Sequence, residues 1–405
     1  MTREEQDRLH QTQSRYMPLV LVVLTHAFIH MYGALLPLVY PFIVIEYGIS
    51  YAAIGLLEGV SRFSAGLSQG PAGLLGRFVP RNILLGLGNL LLALSMGLTS
   101  LSANFVQFFA ATVFGRIAQS PQHPIGSSLI SEWFGKKLRG TTFAINYSGA
   151  NMGSIIVPLI AGGLFLLVGW RGTLGIFIFP GLVFGLLAII MLSGAGKVVT
   201  TTSGSSRPNL GSEIRMVFKD PNSRFVIVSA MLSAGAGGLG ILNIYVPLYL
   251  RDTIRDGLGL EPMTTSILYT ILLVGSVVGP LFMGRISDRF GRIRTIKTIL
   301  FLSSLNTVLL VLSGSNLSSI IPVLLAMGFT NYSYTALLQA LLADVANPSV
   351  RDLTFSLFYP LSFGVGAIWS FGLGVVADQF GFRPMFLISA ISPLIALPFI
   401  WILKE

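Results

Sequence analysis

Cysteine is absent from the 405 residues, which excludes disulfides, thiolate metal sites and cysteine nucleophiles. Charge is nearly as scarce. Only 10% of residues are Asp, Glu, Lys or Arg, where a soluble chain carries about a quarter. The chain has 16 acids, 4 histidines and 4 tryptophans. Its N-terminal stretch, MTREEQDRLHQTQSRYM, lacks the apolar region of a cleavable signal peptide, so the first apolar run is expected to insert and stay. What fills the chain instead is hydrophobic sequence, 53% of residues with a mean hydropathy of +0.77. Apolar runs of about 20 residues, each long enough to cross a bilayer as a helix, recur from end to end. The expected class is an all-α polytopic membrane protein.

Twelve spans are expected, near 17–45, 51–75, 82–101, 104–131, 139–165, 171–194, 223–250, 262–286, 295–313, 317–344, 350–377 and 383–403. The long polar connection, about 195–222, contains TTTSGSSRPN and reads as a flexible linker. The expected organisation is therefore a first six-helix bundle over 1–194, a linker over 195–222 and a second bundle over 223–405. SEIRMVFKDPNSRF is expected to form a short interfacial helix with Met216, Val217 and Phe218 on the membrane. The net charge of +10 is explained by its placement and does not imply a nucleic-acid partner. Twenty Lys and Arg fall in the tails, the linker and the loops on the same side, against four on the other side (Arg171, Arg251, Arg255 and Arg383). That bias predicts both termini and the linker in the cytoplasm, in a prokaryotic inner membrane.

The halves repeat. LRGTTFAINY (Leu138–Tyr147) and VRDLTFSLFY (Val350–Tyr359) share four residues at an offset of 212, and VGWRG (Val168–Gly172) matches FGFRP (Phe380–Pro384) at that offset. The spans are thus expected as two pseudo-symmetric six-helix bundles, parallel repeats about an axis along the membrane normal.

Between the eighth and ninth spans, GRISDRFGR resembles the loop signature G-x-x-x-D-R-x-G-R of the major facilitator superfamily, with Gly284, Asp288, Arg289, Gly291 and Arg292 matching. That resemblance implies a carrier whose halves rock about a central site. Gly284 is expected to let the eighth span approach a neighbour closely. Asp288 is expected to face the start of the eleventh span near Val350, where a helix N-terminus favours a carboxylate. Arg289 and Arg292 add ion pairs to this cytoplasmic gate. In the first half, GRFVPR puts Gly76 where the acid belongs, so Arg77 and Arg81 are expected to lack that partner.

Charges inside spans are costly and usually functional. Of the acids only Glu58 falls deep in a span; its companions are Arg62, Arg116, His26, His30 and His123. Glu58 and Arg62 share a helix face with the acid first, the favourable order, and this pair alone could be a self-neutralising structural one. The histidines and Glu58 are the groups able to titrate in a transport cycle. GRIAQSPQHPIG resembles the superfamily's fourth-span motif R-x-x-Q-G, with Arg116 and Gln119 matching and Ser120 replacing glycine; in that motif the Arg is associated with proton coupling. Pro121 and Pro124 are expected to distort the helix around His123.

Asn243, Tyr245, Asn331, Tyr334, Gln339, Tyr359 and Trp369 are expected to line the second-half wall, or alternatively to pack. GAGGLG (Gly235–Gly240) satisfies a nucleotide-binding glycine pattern, but no strand precedes it, so close packing or an unwound bend is expected. GSIIVPLIAG partly resembles the superfamily's antiporter signature, with Val157 and Ala161 in place of glycines. A first-span His26 with His123–Pro124 is similar to the fosmidomycin-resistance type of exporter. The resemblance implies a secondary active transporter with no cofactor or metal, drawing on the proton gradient and functional as a monomer in the lipid bilayer. Two arginines against one acid favour an anionic or zwitterionic small molecule. Proton-coupled efflux leads, with organic-anion uptake or exchange as the alternative. A membrane-embedded receptor or enzyme is the reading of another class; no nucleophile–base pair supports catalysis.

Overall fold

The computed structural model describes residues 3–76, 78–134, 136–193, 210–347 and 351–403. Regular structure among them is helical: α1 (Arg3–Tyr47), α2 (Tyr51–Leu75), α3 (Arg81–Ser100), α4 (Phe105–Ala118), α5 (Gln122–Trp133), α6 (Lys136–Met191), α7 (Leu210–Lys219), α8 (Pro221–Ser233), α9 (Asn243–Arg251), α10 (Pro262–Phe290), α11 (Arg292–Ser313), α12 (Leu317–Val345), α13 (Arg351–Phe380) and α14 (Phe382–Trp401). Nine stretches among the described residues are long and apolar enough to cross a membrane. One of these, Ile145–Met191, holds two spans, because Gly169 at φ 66° breaks α6. With α2 and the α4–α5 pair, the chain has its twelve spans.

Local chemistry sets the ends. Asn104 caps α4 by accepting from the Gln107 N–H, Asp220 caps α8 ahead of Pro221, and Asn316 caps α12. The fourth span breaks at Gln119–Pro121, as the two prolines predict. The seventh span breaks in the glycine run: a 3-10 turn at Ala234–Ala236 and a π-helical turn at Gly238–Leu242 separate α8 from α9. The repeat is visible in the backbone. Gly169 and Gly381, 212 apart, both take positive φ between paired spans, a conformation open to glycine at little cost.

Packing divides the chain elsewhere than the repeat does. One compact unit comprises Met1–Leu35 and Ser64–Thr202; the other comprises Leu36–Phe63 and Ser203–Glu405. The end of α1 and the start of α2 thus belong with the second unit. In the first unit Val22, Leu85, Ile125, Leu129 and Phe134 form a buried cluster. In the second, Val226, Ile296, Leu338, Leu342 and Phe358 do so. The tightest seam there joins α10 to α12, where a Cβ at Gly275 or Gly279 would strike the carbonyl oxygens of Leu325 or Phe329.

Two expectations change. A Cβ at Gly284 would meet nothing within 4 Å, so close approach falls one to three turns earlier on α10, at Gly275 and Gly279. The interfacial helix exists as α7, with Met216 and Phe218 exposed, but Val217 is buried in the second unit's core. Most of the expected linker lies outside the described residues.

Candidate functional site

In the second unit, Arg62 donates from Nε to Glu58 Oε2 at 2.9 Å, and the Tyr40 hydroxyl donates to Glu58 Oε1. The Glu58 side chain is 0% exposed and that of Arg62 22%, so the pair is oriented, with its carboxylate deep and its guanidinium outward. The outward end meets a cavity of about 130 Å³. Among the described residues, Arg62 is the sole lining residue with a formal charge at neutral pH. Tyr334, Gln339 and Tyr359 line the same cavity, with the Tyr359 hydroxyl donating to Gln339 Oε1 at 3.3 Å.

The other expected wall residues of this unit serve the broken seventh span and its seams. Asn331 Nδ2 donates to the Ala236 carbonyl at 3.0 Å, inside the 3-10 turn. Asn243 accepts from the Tyr332 hydroxyl, and the buried Tyr245 hydroxyl donates to the Ser370 carbonyl at 2.5 Å. Trp369 packs so closely that a Cβ at Gly235 would lie 2.7 Å from its ring. Lining residues that sequence reasoning missed are Thr335, Phe358, Ser362 and Phe363. Their signal was an i, i+4 relation to residues already chosen, Thr335 with Gln339 and Tyr359 with Phe363.

The first unit gathers the histidines. His26 and His30 on α1 stand edge-on with ring centroids 4.8 Å apart, and His123 on α5 stands 5.0 Å from His26. Tyr147 on α6 closes the group at 5.6 Å. Ser154 Oγ lies 3.4 Å from His30 Nδ1. Arg116, at the end of α4, is buried with its guanidinium 5.3 Å from the Tyr32 ring centre, and Gln119 caps that helix. No cluster placed to hold a metal ion occurs among the described residues.

At the loop after α10, Arg292 bridges Asp288 at 3.2 Å and also pairs with Asp344 at the end of α12. Asp288 is two-thirds exposed, and Val350, expected opposite it, lies outside the described residues. Arg289 sits over the Phe290 ring. Gly291 takes φ 91° at the start of α11, a conformation its repeat counterpart Val79 would rarely adopt. Arg77 lies outside the described residues. Arg81, which lacks the motif's acid, pairs instead with Glu132 at the end of α5.

Carboxylates meet helix N-termini at the opposite ends of the spans. Asp378 accepts from the backbone N–H groups of Tyr51 and Ala52 at 2.7 and 3.0 Å, and Ser50 Oγ from that of Ala53 at 3.1 Å, so the first three N–H groups of α2 are all satisfied. Asp256 does the same for α14, accepting from Phe382 and Arg383 at 2.5 and 2.8 Å. The Tyr51 hydroxyl donates to Asp252. Below these contacts α2 lies hard against α13: a Cβ at Gly374 would be 2.6 Å from the Ala52 Cα, and one at Gly59 would be 2.8 Å from the Ala367 Cβ.

Twelve spans in a twofold repeat, two of them unwound, with a buried ion pair and a cavity lined by several helices, define a polytopic helical membrane protein. The chain belongs to the Major Facilitator Superfamily, whose family model matches residues 22–255 and 251–405. It is similar to a probable L-galactonate transporter of Escherichia coli, at 34% identity over 33% of this chain and 31% of that protein. The chain thus aligns with about a third of that relative's length. It is also similar to the fosmidomycin resistance protein of the same organism, at 21% identity over 93% of this chain and 90% of that one. A bacterial homologue of the human lysosomal transporter Spinster, in an inward-facing and unoccupied conformation, shares the fold with TM-score 0.79 at 15% identity, covering 96% of each chain. The nucleoside transporter NupG does so with TM-score 0.73 at 15% identity, covering 97% of this chain and 99% of that one.

Proposed function

We propose that this protein is a secondary active transporter of a small organic anion or zwitterion, working by alternating access and coupled to protons. One observation carries the charge preference: among the described residues the cavity's single charged wall residue is Arg62, and its counter-ion Glu58 lies behind it, out of the cavity. An anion entering there meets the positive end of a buried dipole, in surroundings where charge is poorly screened. Glu58 and the three deep histidines, in spans one, two and four, supply groups able to carry a proton. Efflux, the direction expected from the sequence, is supported by the relative named for fosmidomycin resistance, while the loss of two glycines from the fifth-span signature weakens it.

A second reading, uptake of the anion together with a proton, is favoured by the arrangement of the pair. Protonating Glu58 leaves Arg62 without its counter-ion and so strengthens anion binding. By linkage the anion then strengthens proton binding, and two ligands that load together travel together. Flux in proteoliposomes across anions and lipophilic cations, with the proton gradient imposed in either direction, separates these readings. Anion movement against the proton flow supports efflux by exchange, and movement with it supports uptake. Movement of cations alone would overturn the charge assignment. The transporter is proposed to work as a monomer in a prokaryotic inner membrane with both termini cytoplasmic.

A further inference from the structure

The cavity beside Arg62 has a wall unsuited to a polyhydroxylated substrate. Its ring-bearing side lies on α13, where Phe358, Tyr359 and Phe363 line it. Tyr359 meets Phe358 edge-on at 5.4 Å and lies tilted 36° from the Phe363 ring at 6.1 Å. Tyr359 is 39% exposed, although it lies within an apolar span. Gly59 on α2, Gly237 before α9, and Gly366 and Ala367 further along α13 also line the cavity, and their small or absent side chains leave room beside the rings. A row of rings with open space beside it accepts a planar apolar body, because aromatic rings favour offset-stacked or edge-on contacts.

Polar groups on this wall are few and partly committed. The Tyr334 hydroxyl donates to the Ser233 carbonyl at 2.6 Å, and the Tyr359 hydroxyl donates to Gln339. Thr335 and Ser362 remain among the lining hydroxyls, and the Ser362 hydroxyl is buried without a partner among the described residues. A sugar acid would bring many hydroxyls to a wall that can pair few of them, and each unpaired buried hydroxyl is unfavourable. The volume of about 130 Å³ is close to the roughly 150 Å³ of an apolar cavity that takes up one benzene ring.

We propose that the substrate is a planar aromatic monoanion, its carboxylate or equivalent acid group on Arg62 and its ring against the α13 aromatics. The proposal rests on the anion-carrier reading above and narrows it. The tyrosines, Gln339 and Arg62 fix orientation, while Phe358, Tyr359 and Phe363 select for a ring.

The test is equilibrium binding to the purified full-length protein in lipid nanodiscs with four probes: benzoate, gluconate, benzamide and benzylamine. Benzoate is expected to bind at least tenfold more tightly than each of the others. Phe363→Leu, which keeps an apolar residue of similar size, is expected to weaken benzoate binding roughly twofold to tenfold and leave gluconate unchanged. Gluconate binding as tightly as benzoate would overturn the aromatic assignment while leaving the anion-carrier reading intact. Benzylamine binding more tightly than benzoate would overturn both. Undetectable benzoate binding, or benzoate binding unaltered by Phe363→Leu and by Tyr359→Leu, would also overturn the aromatic assignment.

Discussion

At the scale of single residues, Glu58 and Arg62 show how far a sequence reaches. Their spacing predicted a shared face, and the 2.9 Å contact follows from it. The third member, Tyr40, comes from α1, eighteen residues away, and no periodicity announces it. A buried carboxylate held by two partners tolerates losing its own charge far better than losing its cation. Arg62→Leu leaves Glu58 buried and uncompensated, which costs about 3–5 kcal/mol. Thermal unfolding of that variant is therefore expected well below the parent, with Arg62→Leu combined with Glu58→Gln recovering much of the loss. Glu58→Gln alone is expected to fold normally. It should exchange substrate in counterflow at near-parent rates, yet lose gradient-driven accumulation at least tenfold. Accumulation at the parent level by Glu58→Gln would remove Glu58 from proton coupling and leave the histidine group as the candidate.

At the scale of elements, the span ends were legible because a bilayer imposes about 20 apolar residues on each helix. Both broken spans announced themselves through Pro121, Pro124 and the glycine run. Side-chain direction was not legible: Asn243, Tyr245 and Asn331 were chosen by the same rule as Tyr334 and Tyr359, but the first three serve backbone and helix seams and the last two face the cavity. Within a helix apolar on nearly every face, hydropathy carries little information about which face meets a cavity. The sequence led attention to Asp288 as an acid at a helix N-terminus, a contact whose far side lies outside the described residues; it did not announce Asp378 and Asp256, which make contacts of that kind at the other ends of the spans. The α2–α13 seam beneath Asp378 offers a sharp test. Gly374→Val places a side chain where even a Cβ would be 2.6 Å from the Ala52 Cα, whereas a Cβ at Gly372 meets open space. Transport by Gly374→Val is expected to fall at least tenfold at unchanged expression, and Gly372→Val to stay within twofold. Asp378→Asn, which keeps the shape but not the charge that caps α2, is expected to lower stability by about 1 kcal/mol, read as a fall in the unfolding temperature.

At the scale of the whole molecule, the repeat and the charge bias are separate signals that have to agree on topology. A six-span repeat in parallel orientation puts every loop after an odd-numbered span on one side and every loop after an even-numbered span on the other. Gly48 and Gly259 take positive φ after the first and seventh spans, and Gly169 and Gly381 join paired spans 212 residues apart, so the same kinds of turn recur in both halves. The Lys and Arg count is then expected to orient that alternation, with the basic side in the cytoplasm. The absence of cysteine makes the orientation directly measurable, because each introduced thiol is the sole reporter. Ile254 is exposed after the seventh span and Lys219 is exposed at the end of α7, on opposite sides in this scheme. A membrane-impermeant maleimide is expected to label Ile254→Cys in intact cells and to label Lys219→Cys only after the membrane is opened. The reverse pattern would mean that the positive-inside bias does not orient this chain. The direction of any proton-coupled flux measured in cells would then have to be read with the opposite sign.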